Sequence, residues 1–151
     1  MSRKFRTAHY EEMLKLSIKL EDAVPANHLA RFVVDVIGQL DLGAIYGRYG
    51  VLGGEAIAPE ILLGLLFYGY ATGVFSSRKL ERATHENLAF RYIASDLHPD
   101  HDTLAHFRKT FLREIQELFV QILLLAQAAD ILKLGNISID GSKVHADASK
   151  S

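Results

Sequence analysis

The feature that most constrains this chain is a run of 14 residues, Ile61 to Val74, that is almost entirely apolar and carries no charge. Pro59 and Glu60 precede the run, and both suit the first turn of a helix, where a missing N–H costs nothing and a carboxylate meets the positive end of the helix dipole. The run is shorter than the ~20 residues that a helix needs to span a bilayer. We therefore expect a helix buried on all sides at the centre of a helical module and ended by Gly73.

The composition limits the class of protein. With 151 residues and 49% hydrophobic residues, the chain suits one domain with a packed core. There is no cysteine, which excludes disulfides and thiolate metal sites. The net charge of −1 argues against a surface that is basic throughout, although a local basic patch remains compatible. The charged N-terminus does not resemble a secretory signal, and we expect a cytoplasmic protein without a membrane span.

Apolar spacing predicts further helices around the central one. Residues 10–24 stay open between a strand and a helix, because apolar and polar residues alternate there beside helix formers. Asn27 is the predicted N-cap of the next helix. Asp41 is the predicted N-cap of a short helix that continues it. The buried positions predicted for that helix are Leu29, Phe32, Val33, Val36, Ile37 and Leu40.

The second half of the chain shows the same pattern. Ser76 or Ser77 is expected to cap a basic helix from Arg78 to about Ala83, and residues 87–94 could form another short helix. Asp102 is the predicted cap of the following helix, and residues 118–129 continue as a long one. The buried stripe predicted for the helix that Asp102 caps consists of Leu104, Phe107, Phe111 and Leu112.

Residues 75–113 combine seven basic residues with five acids, so the basic excess is local. A basic helix followed by a turn and a second helix is typical of a helix-turn-helix, although this turn is longer than usual. An ordinary helical bundle with solvated basic faces explains the pattern equally. If one face binds DNA, the expected phosphate contacts are Arg78, Lys79 and Arg82, and the residues expected near base edges are His106, Arg108 and Lys109. Arg108 could instead be a structural arginine paired with an acid such as Asp100.

Three other groupings favour structural roles. Zinc could use the spacing of four candidate ligands, but the same residues suit a turn and a helix cap, and no second cluster completes a site. Four tyrosines have apolar flanks, which favours packing over a stacking platform for bases. The glycines at 47–54 lack the pattern of a phosphate-binding loop. The candidate ligands are His98, His101, Asp102 and His106, and the tyrosines are Tyr46, Tyr49, Tyr68 and Tyr70.

The C-terminal stretch predicts a β-strand that ends in a carboxylate. Ile137 and Ile139 flank Ser138, and Asp140-Gly141 follows. A strand end fixes the direction of its side chains, so Asp140 could be a metal ligand for phosphoryl transfer. Asp-Gly is equally typical of a plain turn, and Asp140 with Asp147 does not complete a two-metal site.

Seven motifs in order resemble one family. The sequence is similar to bacterial insertion-sequence DDE transposases over residues 23–149, nearly the whole chain. Ser142, His145 and Asp147 depart from the usual family residues. The matching segments are Pro25–Arg31, Leu40–Leu42 with Tyr46, Pro59–Gly73, Ser76–Leu80, Phe90–Tyr92, Pro99–Leu104 with Phe107–Lys109, and Asp140–Lys143 with Ala146, Ala148 and Ser149.

The resemblance implies a mainly α protein in two parts. Residues 1–135 would be a compact helical module with the helix-turn-helix-like segment, and residues 136–151 would begin a truncated RNase H-like catalytic domain. Asp140 would be the first of three catalytic acids and would hold Mg²⁺ in a complete domain, so the chain alone is expected to be catalytically incomplete. The implied partners are DNA at the terminal inverted repeats, further copies of the chain and a C-terminal transposase half. The alternative is an interaction module that does not bind DNA.

Overall fold

The computed structural model describes residues 19–49 and 57–129, and in these ranges the chain is helical without a strand. The mainly α prediction is confirmed there, whereas the predicted strand at 137–140 and the ambiguous residues 10–18 lie outside the described ranges. The helices are α1 (Leu20–Ala23), α2 (Leu29–Ile37), α3 (Gly43–Tyr49), α4 (Pro59–Thr72), α5 (Ser77–Glu86), α6 (Leu88–Ile93), α7 (His101–Thr110) and α8 (Leu112–Ala128).

Helix α4 lies at the centre of the module, as its all-apolar sequence predicts. Its residues from Leu62 to Gly69 are all buried, so no side of this stretch faces solvent. Helices α2, α5, α6 and α7 pack against it. Leu63 and Leu65 on α4 and Leu104 on α7 are fully buried in the same core. Since an apolar side chain gains roughly 1.5–3 kcal/mol on full burial, this helix accounts for much of the stability of the core.

Two caps lie one and two residues from their predicted positions. His28, not Asn27, caps α2, where its Nδ1 accepts from the Ala30 amide at 3.0 Å. Asp100, not Asp102, caps α7, and its carboxylate accepts from the Thr103 amide at 2.7 Å. In each case a nearby cap-forming residue competes for the same role, and the backbone geometry decides between them.

The caps predicted at Ser76 and Asp41 are observed, and Asn87 caps a helix for which no cap was predicted. The Ser76 hydroxyl accepts from the Lys79 amide at 3.0 Å, and Asn87 caps α6. Asp41 accepts from the Gly43 amide at 2.9 Å at the start of α3. One predicted core residue is wrong, because Leu112 begins α8 and is 50% exposed. The helical stripe of α7 ends at Phe111, where the chain turns into the next helix.

The turn between α4 and α5 brings two helices into close contact. Gly73 has φ of 86°, the left-handed conformation that ends α4, and the Val74 amide donates to the Gly69 carbonyl at 2.8 Å. A Cβ at Gly69 would lie 2.5 Å from the Val74 carbonyl oxygen and 2.6 Å from a Leu80 methyl. Glycine at 69 therefore lets α5 pack directly on the end of α4.

Arginines link the outer helices to the core. Arg31 on α2 donates to the Val24 carbonyl at 3.0 and 2.7 Å and lies over the Tyr92 ring. Arg48 on α3 forms an ion pair with Glu114 on α8 at 2.7 Å. These contacts connect segments that are far apart in the sequence.

No single helix in the described ranges is long and apolar enough to cross a membrane, and α4 and α5 meet the length and composition criterion only as a pair bent by 97°.

We expect Gly69→Ala to lower the free energy of unfolding by about 1–3 kcal/mol, because the added methyl group overpacks the α4–α5 contact. Gly47→Ala is the matched control. A Cβ at Gly47 in α3 has nothing within 4 Å, so alanine should be neutral or raise stability by up to ~1 kcal/mol through its helix propensity. Urea unfolding followed by circular dichroism measures both. Equal effects of the two substitutions would show that the α4–α5 contact is not tight.

Candidate nucleic-acid interface

Helices α5 and α7 pack along one seam, and two polar contacts define its direction. Arg108 donates from Nη2 to the Ser77 hydroxyl at 3.2 Å. Glu81 accepts from the His101 amide at 2.6 Å, and its carboxylate lies 2.8 Å from His101 Nδ1. Residue numbers rise along α5 while their partners' numbers fall along α7, so the two helices are antiparallel.

Four cations lie on this seam or beside it. Arg108 is part of the seam, and the other three are exposed next to it. On α5, Arg78 and Arg82 follow the seam residues Ser77 and Glu81 and are exposed. On α7, Lys109 follows Arg108 and is also exposed, so helical geometry turns it to the same solvent side. We call Arg78, Arg82, Arg108 and Lys109 the basic face.

An open cleft of about 410 Å³ runs along the α5 side of the basic face. Arg78 and Arg82 line it together with Glu81, His85, Glu86 and His101. Ala105, exposed on α7, lies between the seam residues His101 and Arg108 and adds only a methyl group. The surface beside the arginines is therefore accessible to a bulky anionic ligand.

Two of the six predicted DNA-contact residues lie at the edges of the basic face. At about 100° per residue, Lys79 is turned by about 100° from Arg78. His106 is turned by about 160° from Arg108 on α7, and its Nε2 lies 3.4 Å from the Thr110 hydroxyl. Lys79 and His106 are also exposed, and each lies three residues before a member of the basic face, Lys79 before Arg82 and His106 before Lys109, so each is turned by only about 60° from that neighbour.

Arg108 has a structural contact, but not the one considered from sequence. It is partly buried and donates to Ser77, whereas Asp100 serves as the α7 cap. The Ser77 contact orients the guanidinium on the seam and spans 31 residues of sequence. Arg108 therefore both holds α5 against α7 and adds a positive charge to the basic face.

Two acids near the basic face, Glu81 and Asp100, accept hydrogen bonds, whereas Glu86 in the same cleft is exposed. The hydrogen bond from the His101 side chain, followed by that from its backbone amide, lowers the pKa of Glu81. Hydrogen bonds from the amide and the side chain of Thr103 lower the pKa of Asp100. Both carboxylates are thus held ionised by contacts at the seam and the cap. Asp102 is 88% exposed on α7, and its carboxylate lies 3.5 Å from His101 Nε2.

The histidines of the 98–106 cluster are dispersed rather than convergent. His98 stacks on His85 with ring centroids 3.9 Å apart, and its Nδ1 lies 3.2 Å from the hydroxyl of the buried Thr84. His101 contacts Glu81 instead. Within residues 19–49 and 57–129, no group of three or more His, Asp or Glu side chains could hold a metal ion. Asp140 and Asp147 lie outside the described ranges.

The tyrosines divide between core and rim. Tyr68 is buried, and its ring packs edge-on against Phe90 at 4.9 Å. Tyr46 is half exposed and its hydroxyl donates to the Glu60 carboxylate. Tyr70 is also half exposed and lies beside Phe119 and Phe75. The side chain of Tyr49 lies outside the described part of the structure.

Sequence reasoning missed the Glu81–His101 contact and the His85–His98 stack. The partners are 20 and 13 residues apart and lie on different elements, so no local pattern joins them. The only available signal was that Glu81 follows two exposed basic residues on a short helix, which does not by itself identify a partner.

We expect Glu81→Gln to lower the melting temperature at neutral pH, because an amide replaces the carboxylate that accepts two hydrogen bonds from His101. The pKa of Glu81 is lower in the folded chain than its ordinary value of 4.5. Its contribution is therefore complete above pH ~4.5 and is lost as the pH falls through the folded pKa. The difference between the native chain and the variant should shrink below that pH in thermal melts. Glu86→Gln, at an exposed position on the same helix, should show neither effect, and a difference independent of pH would contradict this role of the carboxylate.

One family model matches the chain, over residues 18–110, which is more than half of its length. Its description is transposase domain (DUF772), and the matched range contains α5, α7 and every residue of the basic face. No curated protein and no solved structure matches the chain. The range covered by the model also contains six of the seven motifs on which the resemblance to insertion-sequence transposases rests. The chain therefore belongs to the transposase-domain family DUF772.

Proposed function

We propose that this chain is the N-terminal part of an insertion-sequence transposase, and that its helical module binds transposon-end DNA and takes part in subunit assembly. The observation that carries the DNA-binding proposal is the basic face: Arg78 and Arg82 line an open cleft on α5, and Arg108 and Lys109 lie on the facing helix α7, inside the domain that the family model matches. The net charge of −1 is compatible with such a local group of cations.

The spacing of the cations supports phosphate contact. Arg78 and Arg82 are one helical turn apart, about 6 Å along the α5 axis. Both can therefore approach the same stretch of DNA backbone, with Lys109 reaching it from α7. Phosphate contacts set the position and orientation of a protein on a duplex but carry no sequence information directly.

Within this proposal the six residues take different roles. Arg78, Arg82 and Lys109 contact phosphates, and Arg108 holds α5 against α7 while adding its charge to the same field. Lys79 and His106 lie at the edges of the face, next to Arg82 and Lys109 respectively, and would contact DNA where the duplex extends beyond its centre. His106 remains the candidate for a base edge, as expected from its place on the second helix of the segment.

The family resemblance supports a catalytic role for the C-terminal segment. We propose that Asp140 is the first of three metal-binding acids and that a further polypeptide segment supplies the others. Mg²⁺ would stabilise the charge that develops on the scissile phosphate. Within residues 19–49 and 57–129, no group of three or more His, Asp or Glu side chains could hold a metal ion by itself.

Removal of one basic-face arginine should weaken DNA binding and its salt dependence. With Arg78→Ala or Arg82→Ala, the slope of log K against log salt should become less negative by about 0.9, because one phosphate contact is lost. Fluorescence anisotropy at 50–200 mM salt, with a duplex carrying the terminal repeat of the encoding element and a mixed-sequence duplex, provides the measurement. Lys19→Ala, which removes one exposed charge before α1, is the matched control and should leave the slope unchanged.

Two results would contradict the DNA-binding proposal. One is an absence of binding to either duplex at low salt. The other is an equal loss of slope in the Lys19→Ala control, which would indicate diffuse attraction without a defined face. In either case the alternative of an interaction module without DNA binding would be favoured, and the exposed apolar side of α8 is the observation that supports it.

A further inference from the structure

Helix α8 has two apolar stripes, although a helix on the surface of a single module needs only one. The first stripe faces the core and is buried: Ile115, Leu118, Ile122 and Ala126. The second lies beside it on solvent. Its members are Leu112 (50% exposed), Val120 (56%), Leu123 (39%) and Leu124 (59%).

Aromatic residues from α4 and the following turn extend the second stripe. The Tyr70 ring lies 5.8 Å from that of Phe119 on α8 and 6.5 Å from that of Phe75. Tyr70 is 51% exposed and Phe75 is 62% exposed. We call Tyr70, Phe75, Leu112, Val120, Leu123 and Leu124 the α8 apolar face.

We infer that the α8 apolar face is the surface on which a second copy of this chain docks, with α8 packing against its symmetry mate. The inference deepens the assembly part of the proposed function, because it names the surface and the partner. It does not depend on DNA binding.

The size of the face fits a dimer. The six side chains of the face are about half exposed, and an aromatic side chain such as Tyr70 or Phe75 has roughly 150–250 Å² to bury, so with the smaller Leu and Val side chains the face offers on the order of 500 Å² per copy. Two copies would bury about 1,000 Å² of apolar surface before the flanking glutamines are counted, which reaches the lower limit of about 1,000 Å² for a specific interface. An exposed apolar patch of this extent is also unusual on a surface that stays in water.

The shape of the face provides a place for a partner side chain. An apolar cavity of about 260 Å³ opens on it, lined by Tyr70, Phe75, Leu112 and Phe119 among others. In a two-fold arrangement each copy both presents protruding leucines and receives those of its partner, as in knobs-into-holes packing of helices. Leu124 and Val120 are the most exposed apolar side chains of α8 and are the natural knobs.

The charge pattern of α8 favours a protein partner over DNA. Helix α8 has no lysine or arginine after Arg113, its later charges are Glu114 and Glu117, and residues 118–128 are uncharged. A duplex would meet no cation along this stretch, so the salt-dependent term that dominates DNA affinity is missing there. Arg108 lines the cavity at one end, but its guanidinium donates to Ser77 on the seam. An uncharged apolar surface is instead complementary to a second copy of itself.

Sedimentation equilibrium of the full chain tests the inference. The native chain should dimerise, and Val120→Glu should raise the dimer dissociation constant by roughly 100-fold or more, because it buries a carboxylate at the centre of each contact. Leu97→Glu is the matched control: it adds the same charge at an exposed leucine away from α8 and should stay within about two-fold of the native value. Far-ultraviolet circular dichroism checks that both variants remain helical.

A label provides a second readout that does not require a disruptive variant. Because the chain has no cysteine, Leu124→Cys and Leu97→Cys each carry one spin label. Dipolar spectroscopy should give a short inter-label distance for residue 124 in the dimer and a longer one for residue 97.

The outcomes separate this inference from the proposed function. A native chain that dimerises through residues other than Val120, with no short distance at 124, overturns the inference but leaves assembly intact. A native chain that stays monomeric at about 100 µM, where a standard-size interface would be occupied, overturns both the inference and the assembly proposal.

Immobilisation of the label at 124 only when a mixed-sequence duplex is added to a monomer would assign the face to DNA and overturn the inference. DNA binding by monomeric Val120→Glu would show that the basic face acts independently.

Discussion

Burial of the Leu62–Gly69 stretch of α4 on all sides is the physical constraint on which the other contacts of this module depend. A helix without a solvent-facing side has to be surrounded, and α2, α5, α6 and α7 provide the surrounding layer. The free energy gained by this burial is what holds short helices such as α6 in place, since isolated helices of that length are not stable in water. Close approach is possible because Gly69 leaves space for Leu80 at the end of α4.

The position of the basic face follows from this arrangement. Leu80 and Leu104 face the core, so the residues on the other side of the same helices are directed to solvent. The seam contacts of Ser77 with Arg108 and of Glu81 with His101 then fix α5 against α7. Arg78, Arg82 and Lys109 are thus carried on rigid helices, which is what a binding surface needs for a defined geometry.

The basic face and the α8 apolar face differ in chemistry and in position. One is a set of cations on α5 and α7, and the other is an uncharged stripe on α8 extended by Tyr70 and Phe75. A protein that binds a polyanion with one surface and its own copy with another would present two basic faces per dimer. Such a dimer could hold two DNA segments at once, which links the two proposals without making either depend on the other.

The sequence by itself determined the family, the helical class and most helix positions. Pro59, Gly73, Ser76, Asn87 and the apolar periods are local signals, and local signals specify where helices begin and end. Caps differed by one or two residues where candidates adjoin, as with Asn27 and His28 or Asp100 and Asp102. The sequence also identified six candidate DNA-contact residues. The tertiary structure decided which sides of α5 and α7 are exposed, because the facing of a helix depends on which side the core covers. It likewise decided that Glu81 meets His101 and that Leu112 lies on solvent, since contacts between residues distant in sequence arise only when packing brings their helices together.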